Sequence, residues 1–237
     1  CPSLIRINVP STVKVIAPYT FRECGRLVEV ELHDGLERIE DHAFMDCKAI
    51  GRIKIPSTVK EIGEQAFIYC EQLVEAELQE GLEQIGDGAF CGCKSLKCMK
   101  IPPSAKVIGK EAFGGCEQLL EVELCEGLEK IGQSAFNGCK SLKCIRVPSS
   151  VKVIGRNTCC NCHQLEEVEL RKGLEHIEKD AFSFCRSLKR INVPSTVKAI
   201  DVSALQYCEQ LEVVELHDGL ESVGEGAFYN ISLKCIK

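Results

Sequence analysis

Cys159, Cys160, Cys162 and His163 crowd four soft side chains into one short stretch of a 237-residue chain. Thiolate and imidazole are ligands that zinc favours, so this cluster is the first candidate for chemistry. Adjacent residues rarely close one tetrahedron, however, and Cys162 belongs to a regular series of cysteines described below. The reading is no metal and no cofactor. The histidines supply no acid–base constellation either. His33-Asp34 and His217-Asp218 lie at opposite ends of the chain, and general acid–base work needs partners within hydrogen-bond reach. There is no serine elbow, phosphate loop or His-Glu-x-x-His sequence. Glutamate pairs such as Glu121 with Glu123 and Glu167 with Glu169 recur along the chain, whereas an active site is usually singular. The chain reads as a non-enzyme with no small-molecule substrate.

What positions these residues is a repeat. Leu4, Leu27, Ile50, Leu73, Leu96, Leu119, Leu142, Leu165, Leu188 and Leu211 follow one another every 23 residues. Counting that residue as position 0, positions 3 and 5 are apolar and position 12 is isoleucine in nine copies, with Val223 in the tenth. Eight of the nine phenylalanines fall at position 17, and cysteine fills position 20 from Cys24 to Cys208, with Cys1 on the same phase. A 46-residue period overlies the first: proline at position 6 of odd copies (Pro10, Pro56, Pro102), glycine at position 8 of even ones (Gly35, Gly81, Gly127). Both are turn devices, the first because it lacks an N–H and the second because it supplies positive φ.

A copy this short cannot bury its own apolar face, so neighbours must stack around one continuous core. Charged positions 2 and 4 alternate with buried 3 and 5, which predicts a short strand with one face inward. Stacked in register, such strands form a parallel sheet with ~4.8 Å per copy. A second extended piece is expected over positions 9 to 12, as in Val59 to Ile62, and a short helical or 3₁₀ turn over positions 15 to 20. The fold class is therefore α/β, mainly β: a solenoid with a parallel sheet on one side and short helical turns on the other, forming one domain over residues 1–237. The first and last copies are truncated, which fits a segment of something longer or a processed product. Missing polar caps also allow end-to-end self-association or an assembly partner.

Ile50 to Leu73, with its IPSTVKEIGEQAFIYC core, resembles the leucine-rich repeats of BspA-like and Treponema-type surface proteins. The similarity runs through essentially the whole chain. It implies a right-handed solenoid and a role in adhesion or protein binding, often at a cell surface. The alternative, from a different class, is a structural scaffold or spacer within a larger assembly.

Positions 2 and 4 project away from the core and form the expected working surface. Their charges alternate from copy to copy: Arg6 before Glu29, Arg52 and Lys54 before Glu75 and Glu77, Arg146 before Glu167 and Glu169. This is a groove for a polar partner or a self-neutralising ladder that fixes register, each pair worth ~0.2–1 kcal/mol. Internal pairing and a net charge of −6 leave little field for a phosphate backbone, so nucleic acid is not an expected partner. Cys98, Cys144, Cys235 and Val213 interrupt the ladder. The irregular C-terminal copies make Glu167, Glu169, Arg171, Arg190, Val213, Glu215 and His217 the candidate contact patch for a protein. The column cysteines are expected as free, core-facing thiols. Unpaired cysteines favour a reducing compartment and the resemblance favours the cell surface or secretion, so localisation stays open. Asn230-Ile231-Ser232 matches a glycosylation sequon, relevant only on a secretory route.

Overall fold

A computed structural model describes residues 1–236 as a stack of parallel β coils. Each coil contributes two strands. Eleven on the first face, from Arg6–Asn8 to Cys235–Ile236 and three or four residues long except the last, alternate along the chain with ten two-residue strands on the second, from Val15–Ile16 to Ser222–Val223. Strands pair in parallel with their counterparts one coil away, as Arg52↔Glu75 and Ile39↔Ile62 do, with one break on each face, between Glu29–Glu31 and Arg52–Lys54 and between Lys130–Ile131 and Val153–Ile154. The first face keeps its charged positions exposed and its central residue buried, the pattern that alternation requires of a half-buried strand. On the second face the strand covers only positions 11 and 12, as in Glu61–Ile62, and is shorter than expected.

The 46-residue period has a structural meaning at position 8. The Thr58 hydroxyl accepts the Gly35 amide at 2.9 Å and donates to the Leu36 carbonyl at 2.6 Å. Ser104 does the same for Gly81 and Leu82. The hydroxyl of one coil thus ties down the glycine turn of the coil before it. At Gly81, with φ of 107°, a Cβ would lie 2.3 Å from the Ser57 carbonyl oxygen, so no other residue fits. Gly219 turns without positive φ.

The expected helical turn over positions 15 to 20 is absent; no helix occurs among the described residues. The reason lies in backbone sign. Positions 15 and 19 carry positive φ in coil after coil, as at His42 and Asp46, Gln65 and Tyr69, or Glu111 and Gly115. A right-handed helix cannot pass through two left-handed residues. The segment is instead a train of turns: Ala43 N–H closes on Glu40 O, Met45 on His42 O, and Cys47 on Phe44 O. The intervening amides reach the next coil, with His42, Phe44 and Asp46 donating to Glu64, Ala66 and Ile68. Every second donor closes its own coil and every other one sews neighbouring coils together, so the backbone is satisfied without a helix.

One continuous apolar cluster fills the interior. Within it the phenylalanines stack as a column from Phe21 to Phe136, with centroids 5.0–5.5 Å apart and planes 1–18° from parallel. Beside it runs the cysteine column, buried from Cys24 to Cys208; Cys1, on the same phase, is exposed. Each column thiol from Cys47 onward donates to the carbonyl oxygen of position 17 one coil earlier, at 2.9–3.3 Å.

Candidate binding surface

The residues of the expected patch come from three successive coils. Glu167, Arg190 and Val213 share one row across the strands Glu167–Leu170, Arg190–Asn192 and Val213–Glu215. Glu169, Asn192 and Glu215 follow one another in the next row, and Arg171 and His217 lie on the turns beyond. The strand register aligns Glu167, Glu169, Arg190, Val213 and Glu215 on one face, because parallel pairing without slip keeps like positions aligned.

Within that face the charges are not equivalent. Glu169 pairs with Arg146 at 3.3 Å and with Arg171 at 3.4 Å. Arg171 also reaches two coils back to Glu126, Nη1 to Oε1 at 3.0 Å. The hydroxyl and amide of Ser149, followed by Arg171, hold the Glu126 carboxyl below its ordinary range. Arg171 is thus locked. Arg190 stands beside Glu167 and Val213 and closes no ion pair among the described residues, while His217 is exposed. Arg190, Glu167 and His217 retain hydrogen-bonding capacity for a partner; Glu169 and Arg171 mainly brace the surface.

Elsewhere the face carries the expected ladder. Arg6–Glu29, Arg52–Glu75, Lys54–Glu77 and Lys100–Glu123 are paired at 3.1–3.6 Å, all well exposed. A second ladder on the other face escaped the sequence reading: Lys14–Glu37, Lys60–Glu83, Lys106–Glu129 and Lys152–Glu175, at 3.4–3.9 Å. Its signal was present, since position 10 alternates lysine and glutamate without exception from Lys14 to Glu221. Also missed was a short apolar run at position 1 of the first four coils, from Ile5 and Val28, both exposed, to Val74. Gly51 opens a notch of about 470 Å³ in it, between Val28 and Val74.

The soft cluster at 159–163 divides. Cys159 and Cys162 face the core, whereas His163 is only half-buried. Among the described residues no three His, Cys, Asp or Glu side chains converge as a metal would require. No helix among them is long and apolar enough to cross a membrane.

The profile of the BspA type leucine rich repeat region matches residues 1–120, 83–212 and 129–237, so its copies run through the whole chain. No curated protein is detectably similar. Among solved structures, a Treponema pallidum leucine rich repeat protein is 26% identical, with a TM-score of 0.56 over 78% of each chain. A leucine-rich repeat protein of Bacteroides ovatus is 24% identical, covering 97% of this chain and 77% of its own, with a TM-score of 0.53. The pneumococcal vaccine antigen PcpA is 19% identical, covering 98% of this chain and 68% of its own, with a TM-score of 0.58. These last two likenesses are of fold. Proteins built of such repeats are generally binding or adhesion modules and generally not enzymes. Repeat phase, parallel coil stacking and the profile match together place the chain in the BspA-type leucine-rich repeat family.

Proposed function

We propose that the chain is a non-catalytic protein-binding or adhesion module that presents its longer sheet to a protein partner at a cell surface. The observation that carries this reading is the contrast within the sheet. Over the N-terminal coils most charges are paired with the neighbouring coil, as in Arg6–Glu29, Arg52–Glu75 and Lys54–Glu77. Over the last three coils Glu167, Arg190, Val213, Glu215 and His217 form a mixed polar and apolar face, with Arg190 left unpaired among the described residues. Contact specificity comes from such groups, because a charge already paired within the chain gains little by changing partner. Glu169 and Arg171 hold the face in shape. Rigid coil stacking keeps the ordering cost of binding small. No nucleic acid and no small-molecule substrate is required.

The test is adhesion of the purified chain to a panel of immobilised extracellular-matrix proteins by biolayer interferometry. Binding to at least one of them is expected, lost in an Arg190→Glu/Glu215→Lys variant and kept in a Lys60→Ala variant on the opposite face. Binding that is absent throughout, or indifferent to the first variant, ends the proposal.

A further inference from the structure

One coil departs from the others in three places at once. At position 17 it carries Cys159 where the column has phenylalanine, and the ring stacking that runs from Phe21 ends at Phe136. At position 16 it carries Thr158 in a column that is alanine in most coils. That hydroxyl is buried and donates to the Gly155 carbonyl at 2.7 Å. Thirdly, the second sheet is interrupted between Lys130–Ile131 and Val153–Ile154, the one break along its length. In the preceding coil Glu129 and Gly132 donate to Lys106 and Ile108 at 2.9 and 2.8 Å. The equivalent amides, Lys152 and Gly155, make no such bond among the described residues. A Cβ on Gly155 would find its nearest neighbour at 3.5 Å, against 2.5 Å at Gly132. The seam opens into a groove of about 420 Å³ lined by Ile131, Gly132, Val153 and Gly155 among others. The Thr158 hydroxyl, bonded to the Gly155 carbonyl, ties the altered position 16 to this seam.

Cys159 and Cys162 lie at the two ends of one turn in this coil, Cys162 N–H donating to Cys159 O at 3.3 Å, with Asn161 between them at φ of 61°. A turn of this kind holds its end Cα atoms within ~7 Å, inside the range a disulfide spans. Both side chains are buried. Elsewhere position 17 is apolar and offers the cysteine beside it no sulfur partner. Successive cysteines of the column do not substitute for this pair. Their parallel side chains keep each Cβ a full coil spacing from the next, beyond the ~3.5–4.5 Å a disulfide needs, and each thiol is directed at a carbonyl.

We propose that Cys159 and Cys162 are a disulfide-forming pair, oxidised by a low-molecular-weight disulfide when this coil opens at its seam. One thiolate of the pair attacks a sulfur of the small disulfide and expels one of its halves as a thiol. The second cysteine then attacks the resulting mixed disulfide and expels the other half. Two protons leave the protein with the two released thiols, and two electrons reduce the small disulfide. Cys162 gives up its bond to Phe136 O. The other fifteen of the seventeen cysteines keep their thiols.

The reduced, unfolded full chain is refolded in mixed oxidised and reduced glutathione, and its thiols and unreduced peptide map are read. Parallel samples of the native protein are held with oxidised glutathione, so that a refolding failure does not hide the answer. Two thiols fewer than the seventeen are expected, with the link mapped to Cys159 and Cys162, retained in a Cys160→Ala variant and abolished in Cys159→Phe, which restores the column residue. All seventeen thiols surviving in both arms, or a two-thiol loss persisting in Cys159→Phe, overturns the proposal.

Discussion

The Cys116 thiol donates to the carbonyl oxygen of Phe90 at 3.3 Å, and its neighbours Cys93 and Cys139 repeat that bond one coil to either side. Position 20 thus unites a small apolar filler with a donor for a carbonyl at the turn of the coil before. A serine there would donate too, but with a second lone pair left dry; an alanine would leave the carbonyl without that donor.

Burial makes this column sensitive to alkali. Desolvation pushes the thiols of Cys47 and Cys208 from about 9 up to about 12, and raises those of Cys93 and Cys139 well above the usual range. The folded state therefore keeps protons that the unfolded chain releases above pH 9. Stability is full below that value and falls as pH rises from 9 toward 12, by up to ~1.4 kcal/mol per pH unit for each fully buried thiol. Urea midpoints measured from pH 7 to 10.5 are expected to drop steeply above pH 9, and less steeply in a Cys116→Ala/Cys139→Ala variant. Parallel curves for the two proteins would show that the column does not titrate on unfolding.

Phe113 stacks between Phe90 and Phe136, with both centroids at 5.5 Å, and is fully buried. Phe113→Ala is expected to cost about 3–5 kcal/mol, or to divide unfolding into two segments. Phe21 touches only one ring of the column and is half-buried, so Phe21→Ala should cost clearly less. Equal losses in chemical denaturation would contradict the column as the main packing device.

Most of this architecture is legible in the periodicity, because each coil sees the same neighbours and a 23-residue phase maps directly onto a row in space. Strand positions, the buried phenylalanines and the ladder Arg52–Glu75 follow from that alone. The turn at positions 15 to 20 did not. Alanine and phenylalanine there look helical, and although Gly92, Gly138 or Asn161 in some copies signal positive φ, others carry Gln65, Tyr69 or Glu111, types that give no warning of it. What imposes it is the next coil, whose carbonyls collect alternate amides, and contacts between coils override local propensity. The seam beside Gly155 was likewise invisible, since it is a matter of spacing between coils at a position whose residue, glycine, also stands at Gly132 where the coils are close.

The ladder on the second face should behave as a register device. Lys60 sits between Glu37 and Glu83 in strand order and pairs with Glu83 at 3.8 Å. Lys60→Glu places three acids in one row and is expected to cost about 1 kcal/mol, from like charges set side by side. In ~1 M salt, where the screening length is ~3 Å, most of that cost should vanish. A salt-independent loss would mean that the lysine stem packs on the sheet and that its charge is irrelevant.

The seam predicts where the solenoid breathes. Lys152 and Gly155 lack the inter-coil amide bonds that Glu129 and Gly132 make to Lys106 and Ile108, and that Glu175 and Glu178 make to Lys152 and Ile154. The turn segment of the same coil, over positions 15 to 20, stays sewn, with Phe136 N–H on Thr158 O and Cys159 N–H on Ala181 O, each at 2.8 Å. Opening should therefore pivot there and begin on the second face. In native-state hydrogen exchange the amides of Lys152 and Gly155 are expected to exchange on the order of tenfold faster or more than the four flanking amides, because amides that lack a bond open at low free energy. Thr158→Ala, which restores the small column residue, should bring their protection toward that of Gly132. If Gly155 in the parent protein is already as protected as Gly132, the coils are evenly bonded throughout and oxidant has no preferred point of entry.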